Sequence, residues 1–126
     1  MAQSKLFSDS LVSAGDLTES QYLFAKLGSV NRQFEIAGEG DRPYGVLQEE
    51  EVNEGEVAEV MVMGLSFLVL GGEVTGGQLL KPDANGKGVL ADTDTDVAGA
   101  IARESGNADE IISVLIIPGG DSIRIV

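Results

Sequence analysis

Slid along itself by 54 residues, the sequence matches itself without a gap. The segment GVLQEEEVNEGEVAEVMVMG (45–64) lies over GAIARESGNADEIISVLIIP (99–118). Five of these twenty pairs are identical: Gly45/Gly99, Glu50/Glu104, Asn53/Asn107, Glu56/Glu110 and Val60/Val114. Seven more are apolar on both sides, among them Leu47/Ile101, Val57/Ile111 and Val62/Ile116. Each copy reads as a short strand opening on Gly, a polar acidic loop, and a longer apolar strand introduced by Glu. Such a β-loop-β unit leaves an apolar face uncovered, so the two copies are expected to pack together and to superpose in space. The related units run over about 33–71 and 87–125.

Local punctuation says the same about fold class. Apolar runs of five to eight residues, rich in Val, Ile, Leu and Met, are cut off by a share of the chain's 17 glycines. No stretch sustains the 3.6-residue period of an amphipathic helix. The spacing predicts strands at about 22–27, 33–37, 45–48, 56–63, 66–70, 78–81, 89–91, 97–102, 111–117 and 122–126. A short helix over 18–24 competes with the first, because Thr18-Glu19-Ser20-Gln21 can start one. Asn85-Gly86 marks a tight turn, and Gly71-Gly72 and Gly76-Gly77 supply corners at which a sheet bends enough to close. The expectation is an all-β chain: a small β-barrel or β-tulip-like domain over 17–126, preceded by an extended N-terminal arm over 1–16.

Composition removes whole classes of chemistry. The chain has no His, no Cys and no Trp. Disulfides, thiolate nucleophiles, imidazole or thiolate metal sites and a Ser-His-Asp triad are therefore excluded. Eight Lys+Arg against 21 Asp+Glu give a net charge of −13. A phosphate backbone is bound by neutralising it with Lys and Arg, so no nucleic acid partner is expected. An anionic membrane surface is disfavoured for the same reason. The longest charge-free run, between Glu59 and Glu73, is too short for a membrane span. The opening MAQSKLFSDS has no apolar core of signal-peptide type, so no export signal is expected.

Three local features invite a chemical reading. Asp92-Thr93-Asp94-Thr95-Asp96 places alternate carboxylates on a loop, as a Ca²⁺ site would. Against an EF-hand, the sixth position is Val97 in place of Gly and the twelfth is Arg103 in place of Glu. Glu49, Glu50, Glu51, Glu54, Glu56 and Glu59 are numerous enough for an acid/base pair of glycoside hydrolysis. A sugar cleft also needs aromatic platforms, and only 5% of the chain is aromatic. Gly86-Lys87 lacks the leading Gly and the trailing Ser or Thr of a phosphate loop. No catalytic, cofactor or metal residue is assigned, and no small-molecule substrate is expected.

The order of Gly-marked strands carries a family resemblance. Gly45-Val46-Leu47, then Gly55-Glu56-Val57-Ala58-Glu59-Val60 ending in Gly64, come first. Gly71-Gly72-Glu73-Val74-Thr75-Gly76-Gly77-Gln78-Leu79-Leu80, Gly86-Lys87-Gly88, Gly99-Ala100-Ile101-Ala102 and the strand at 111–117 follow. Over residues 21–117 the chain resembles the small capsid cement, or decoration, proteins of tailed bacteriophages. The resemblance implies a virion protein, made in the host cytoplasm, that sits on the outer surface of an icosahedral head. It implies a homotrimer at local threefold positions that clamps neighbouring major capsid protein subunits, with no cofactor and no turnover. The alternative is a carbohydrate- or ligand-binding β module of a phage tail or surface fibre. A small carboxylate hydrolase is a distant third.

The arm is the expected capsid contact. An unpaired extended segment adds a strand to an exposed sheet edge and sets alternate side chains into pockets. The candidates are Lys5, Leu6, Phe7, Leu11 and Val12. A second edge is expected at 122–126, where Ile123 and Ile125 alternate with polar neighbours.

Overall fold

The computed structural model describes residues 5–93 and 96–117, with Lys5 and Leu6 described in backbone alone. Nine strands follow in order: β1 (Lys5–Ser13), β2 (Phe24–Leu27), β3 (Gln33–Ile36), β4 (Gly45–Leu47), β5 (Val57–Val69), β6 (Leu79–Pro82), β7 (Gly88–Leu90), β8 (Ala100–Ala102) and β9 (Ile111–Ile116). No described residue is helical. The competing helix at 18–24 does not form. Tyr22 has a φ of +65°, and the Ser20 and Leu23 amides close successive turns onto the Leu17 and Ser20 carbonyls. The expected strand at 122–126 lies outside the described residues.

Hydrogen bonding runs in the order β1-β3-β2-β4-β5, and β5 returns to β1, which closes a five-stranded barrel. The chain is thus all-β and built on a small barrel. Where two strands were expected at 56–63 and 66–70, β5 runs unbroken. The reason is Gly64. At φ +123° it takes a conformation that L side chains rarely adopt, and it pairs with Lys5 on one edge and Ile116 on the other. Beyond Gly64 the strand leaves β1 and joins β9, and the order continues β9-β8-β6-β7. A parallel bridge between Leu70 and Gly88 brings β7 back to the end of β5. This second, looser barrel shares β5 with the first.

The expected free arm is corrected in the same way. Residues 5–13 form β1, a wall of the first barrel, paired antiparallel with β5 from Lys5↔Gly64 to Val12↔Val57 and parallel with β3 at Val12↔Gln33. Leu11 and Ser13 point into the barrel and are buried. The polar residues before them, Ser8, Asp9 and Ser10, resemble a solvated arm in sequence because their partner is remote. Both the Ser8 and Ser10 hydroxyls donate to the Glu59 carboxylate on β5.

The two barrels repeat each other's strand pairing, but the ungapped match is corrected by one residue at β4 and β8. Gly45 answers Ala100 and Leu47 answers Ala102, so the sequence pairs Gly45/Gly99 and Leu47/Ile101 do not superpose. The loop that follows is one residue shorter in the second barrel. The pair Val12↔Val57 recurs as Val69↔Ile111, Ala25↔Gly45 as Leu80↔Ala100, and Leu47↔Val60 as Ala102↔Val114. The parallel contact Ser13↔Phe34 recurs as Leu70↔Gly88. Before β5 the Asn53 amide donates to the Glu56 carboxylate at 2.8 Å, and before β9 Asn107 donates to Glu110 at 2.8 Å. The ion pair Lys26–Asp41, at 3.0 Å, recurs as Lys81–Asp96, also at 3.0 Å. This correspondence takes in β1, β2 and β6, beyond the segment that matches in sequence.

Each barrel has its own core. Leu11, Leu17, Ala25, Phe34, Leu47, Val52, Ala58 and Val60 fill the first. Leu68, Leu70, Val74, Leu80, Ala102, Ile112 and Val114 fill the second, together with Phe24, Val46 and Met61 from the outer face of the first. Full burial of an apolar side chain of this size is worth about 1.5–3 kcal/mol. The seam is also stitched by backbone bonds. In the first barrel Val12 N–H reaches its own Arg32 carbonyl, whereas in the second the Val69 amide donates to Tyr22 and the Phe24 amide to Gly86. The second barrel is completed by the first.

Candidate functional site

The five arm candidates do not come together as a site. Leu11 belongs to the first core, and Val12 is half-buried with its amide bonded to the Arg32 carbonyl at 2.8 Å. Phe7 is 58% exposed. The side chains of Lys5 and Leu6 lie outside the description.

The acidic motifs are taken up by the fold in part: Glu49, Glu50, Glu51 and Glu54 stand exposed, while others serve the fold. Asp96 accepts the backbone amides of Asp92 and Thr93 at 3.0 and 3.1 Å and the Lys81 ammonium at 3.0 Å. Burial pushes its carboxyl up, but the bonds from Lys81 and the two amides outweigh that and hold it below the usual carboxylate range. Asp94 and Thr95 lie outside the described residues, and among the described ones no group of three possible ligands gathers. Asp41 is the counterpart in the first barrel: the Gly38 amide, then Lys26, hold its carboxyl down. Glu56 and Glu110 cap turns, Glu59 anchors β1, and Lys87 pairs with Asp109 at 2.7 Å. These side chains hold loops and strands in register.

What the surface does offer is an apolar face on the second barrel. Successive side chains of a strand alternate between its two faces, so β5 beyond Gly64 points Leu65, Phe67 and Val69 outward. Likewise β9 points out Ile111, Ser113 and Leu115, and β8 points out Ile101. Cross-strand register then lines up Leu79, Ile101, Leu115 and Leu65 as one row over four strands. Phe67 sits opposite Ser113 in the next row, and Val69 opposite Ile111 beyond it. Phe67, Ile111 and Leu115 are 49%, 54% and 39% exposed.

At one side this face opens into a groove of about 230 Å³ along the seam, lined by Tyr22, Gln48, Leu65, Phe67, Arg103 and Ser113 among others. Tyr22 and Phe67 meet edge to face, ring centroids 5.6 Å apart. Tyr22 occupies the position that Gly77, at φ +93°, holds in the second barrel. A tyrosine at positive φ is strained, and its ring contact across the seam offsets that strain.

Sequence reasoning missed this face. The signal was the near-continuous apolar runs Leu65-Ser66-Phe67-Leu68-Val69-Leu70 and Ile111-Ile112-Ser113-Val114-Leu115-Ile116. A strand with only one buried face alternates, so a run without alternation is apolar on both faces.

No protein-family model matches the chain, and no curated protein sequence matches it significantly. Among solved structures, the chain is similar to the crystal structure of the head fiber gp8.5 N base in bacteriophage phi29. The TM-score is 0.69 at 16% sequence identity, and the likeness covers 88% of this chain and 93% of that one. At that identity the likeness is one of fold, and it spans both barrels.

Proposed function

We propose that the chain is a structural protein of a tailed-phage virion, without catalytic activity, that binds the outside of the assembled head. The observation that carries this reading is the fold likeness to a phage head fiber base over nearly the full length of both chains. The order of Gly-marked strands, which resembles head decoration proteins, supports it independently. The acidic groups support it too, since the hydrogen bonds of Glu56, Glu110, Asp41 and Asp96 go to their own barrel's turns, loops and lysines.

In this reading several copies, as a homotrimer, touch neighbouring major capsid subunits at once. Each contact raises the effective concentration for the next, so total avidity exceeds any single affinity. Binding only the assembled lattice stabilises it by mass action. Phe7, exposed on β1, is the arm residue assigned to the head.

Co-sedimentation of the purified chain with expanded heads of its phage tests the reading. Saturable pelleting and heads that resist heating are expected; a chain that stays in the supernatant at all concentrations overturns it. Because β1 is a barrel wall, the contact is probed by Phe7→Ser and not by deleting the segment. An approximately tenfold loss of head binding with an unchanged melting temperature is expected. Unchanged binding removes Phe7 from the contact.

A further inference from the structure

We infer that the outer face of the second barrel, centred on Leu115, is the surface by which the chain associates with a second copy of itself. The purpose of that association rests on the virion reading, while its evidence is the surface.

The first argument is internal precedent. The row Leu79–Ile101–Leu115 has a bond-for-bond counterpart in the first barrel, the row Phe24–Val46–Met61. There all three side chains are buried, Met61 at 1% exposure, because the second barrel of this same chain packs over them. Among the described residues the repeat has thus kept both rows apolar but covered only one. Contiguous apolar surface with a polar rim marks protein–protein contact.

Charge is the second argument. Two copies at −13 each repel one another and can approach closely only where acids are missing. None of the outward positions on β6, β8, β9 or β5 beyond Gly64 is Asp or Glu. The outward face of the first barrel, by contrast, carries Glu35 and Glu59.

The rim is self-complementary. Arg103 and Glu104 are neighbours, and both are fastened to Ser113 beside the row. The Arg103 Nη1 donates to its hydroxyl at 2.7 Å, and the Glu104 carboxylate accepts its amide at 2.8 Å. A closed oligomer built on this face brings Arg103 of each copy to Glu104 of the next. A guanidinium has five donors, so its bond to Ser113 leaves others for that contact.

Sedimentation equilibrium of the full chain, from low to high micromolar concentration, is the test. Reversible association is expected, and Leu115→Glu raises its dissociation constant about 100-fold. Val30→Glu, at a more exposed apolar site on the β2–β3 hairpin, leaves it unchanged. Arg103→Glu weakens association and Arg103→Glu with Glu104→Arg restores it, which a role confined to holding Ser113 does not produce. If Leu115→Glu unfolds, Phe67→Ser reads the same surface from a half-exposed position.

A wild-type chain that is monomeric throughout overturns the inference, as does a folded Leu115→Glu chain that associates like the wild type. A monomer whose dye-binding apolar surface appears only after deletion of residues 118–126 assigns the face to the chain's own C-terminal segment, and overturns it too. Head binding separates this claim from the previous one. A monomer that pellets with heads defeats the self-association, and with it the trimeric form of the virion reading, but leaves head binding standing. An oligomer that ignores heads defeats only the virion reading.

Discussion

The two barrels share a hydrogen-bond frame and differ in what fills it. Where the first has Phe34, Val52 and Leu47 pointing inward, the second has Gly88, Gly106 and Ala102. Where the first has Ala25, Ala58 and Ser13, the second has Leu80, Ile112 and Leu70. The exchange is spatial: a Cβ added at Gly88 would stand 2.4 Å from Leu68 Cδ2, and one at Gly106 2.7 Å from Ile112 Cγ2. Large side chains have moved to other walls while the interior stays filled. Backbone pairing therefore fixes register in this fold, and volume is conserved over the whole core and not position by position.

The largest break in that comparison comes from its largest exchange. Phe34→Ala is expected to cost about 3–5 kcal/mol in urea unfolding, since Phe34 is the largest fully buried side chain of the first core. Gly88→Ala, at the matching site, is expected to cost about 1–3 kcal/mol by overpacking against Leu68. If a methyl at Gly88 proves harmless, the second core is looser than its distances imply, and the volume argument fails.

A sharper, smaller contrast lies on the outward rows. Met61→Ala removes a fully buried side chain from the seam and is expected to cost about 2–5 kcal/mol. Leu115→Ala, at the equivalent position of the second barrel, is expected to cost under about 1 kcal/mol in dilute monomer. Equal losses would mean that Leu115 is already covered within one chain.

The smallest effect concerns the repeated ion pairs. Asp41 and Asp96 both sit below the ordinary carboxyl value of 3.8. A depressed folded-state value stabilises the folded chain above the unfolded one, and that stabilisation is lost as pH falls below 3.8 through the folded-state values. Asp41→Asn and Asp96→Asn are each expected to flatten the acid limb of the stability–pH curve by under about 1 kcal/mol. The effect should be larger for Asp96, whose pair is the less exposed of the two. A steeper acid limb in either variant would contradict the sign.

Much of this frame was legible in the sequence. Gly-terminated apolar runs marked β2, β3, β4, β6, β7, β8 and β9, because turn chemistry is local. The matched pairs Asn53/Asn107 and Glu56/Glu110 read as a repeated turn, which they form. Four things were hidden, each because its cause is remote in sequence. Strand β1 is held by Glu59, about 50 residues away. Gly64 reads as a terminator until strands are known to continue on both its edges. Lys26 and Lys81 each find an aspartate 15 residues on, across a loop with no shared motif. The apolar outer face belongs with these, since register alone brings Leu79, Ile101, Leu115 and Leu65 into one row.

The shared strand has a mechanical consequence. Ordinary tandem domains are joined by a linker, and bending there lets one swing against the other. Here the connection is the middle of a thirteen-residue strand with paired neighbours on both sides of Gly64. No hinge is available, so torque applied to one barrel is delivered to the other along a rigid spine. The surfaces proposed as contacts, Phe7 on β1 and the row around Leu115, are thereby held at a set distance and angle.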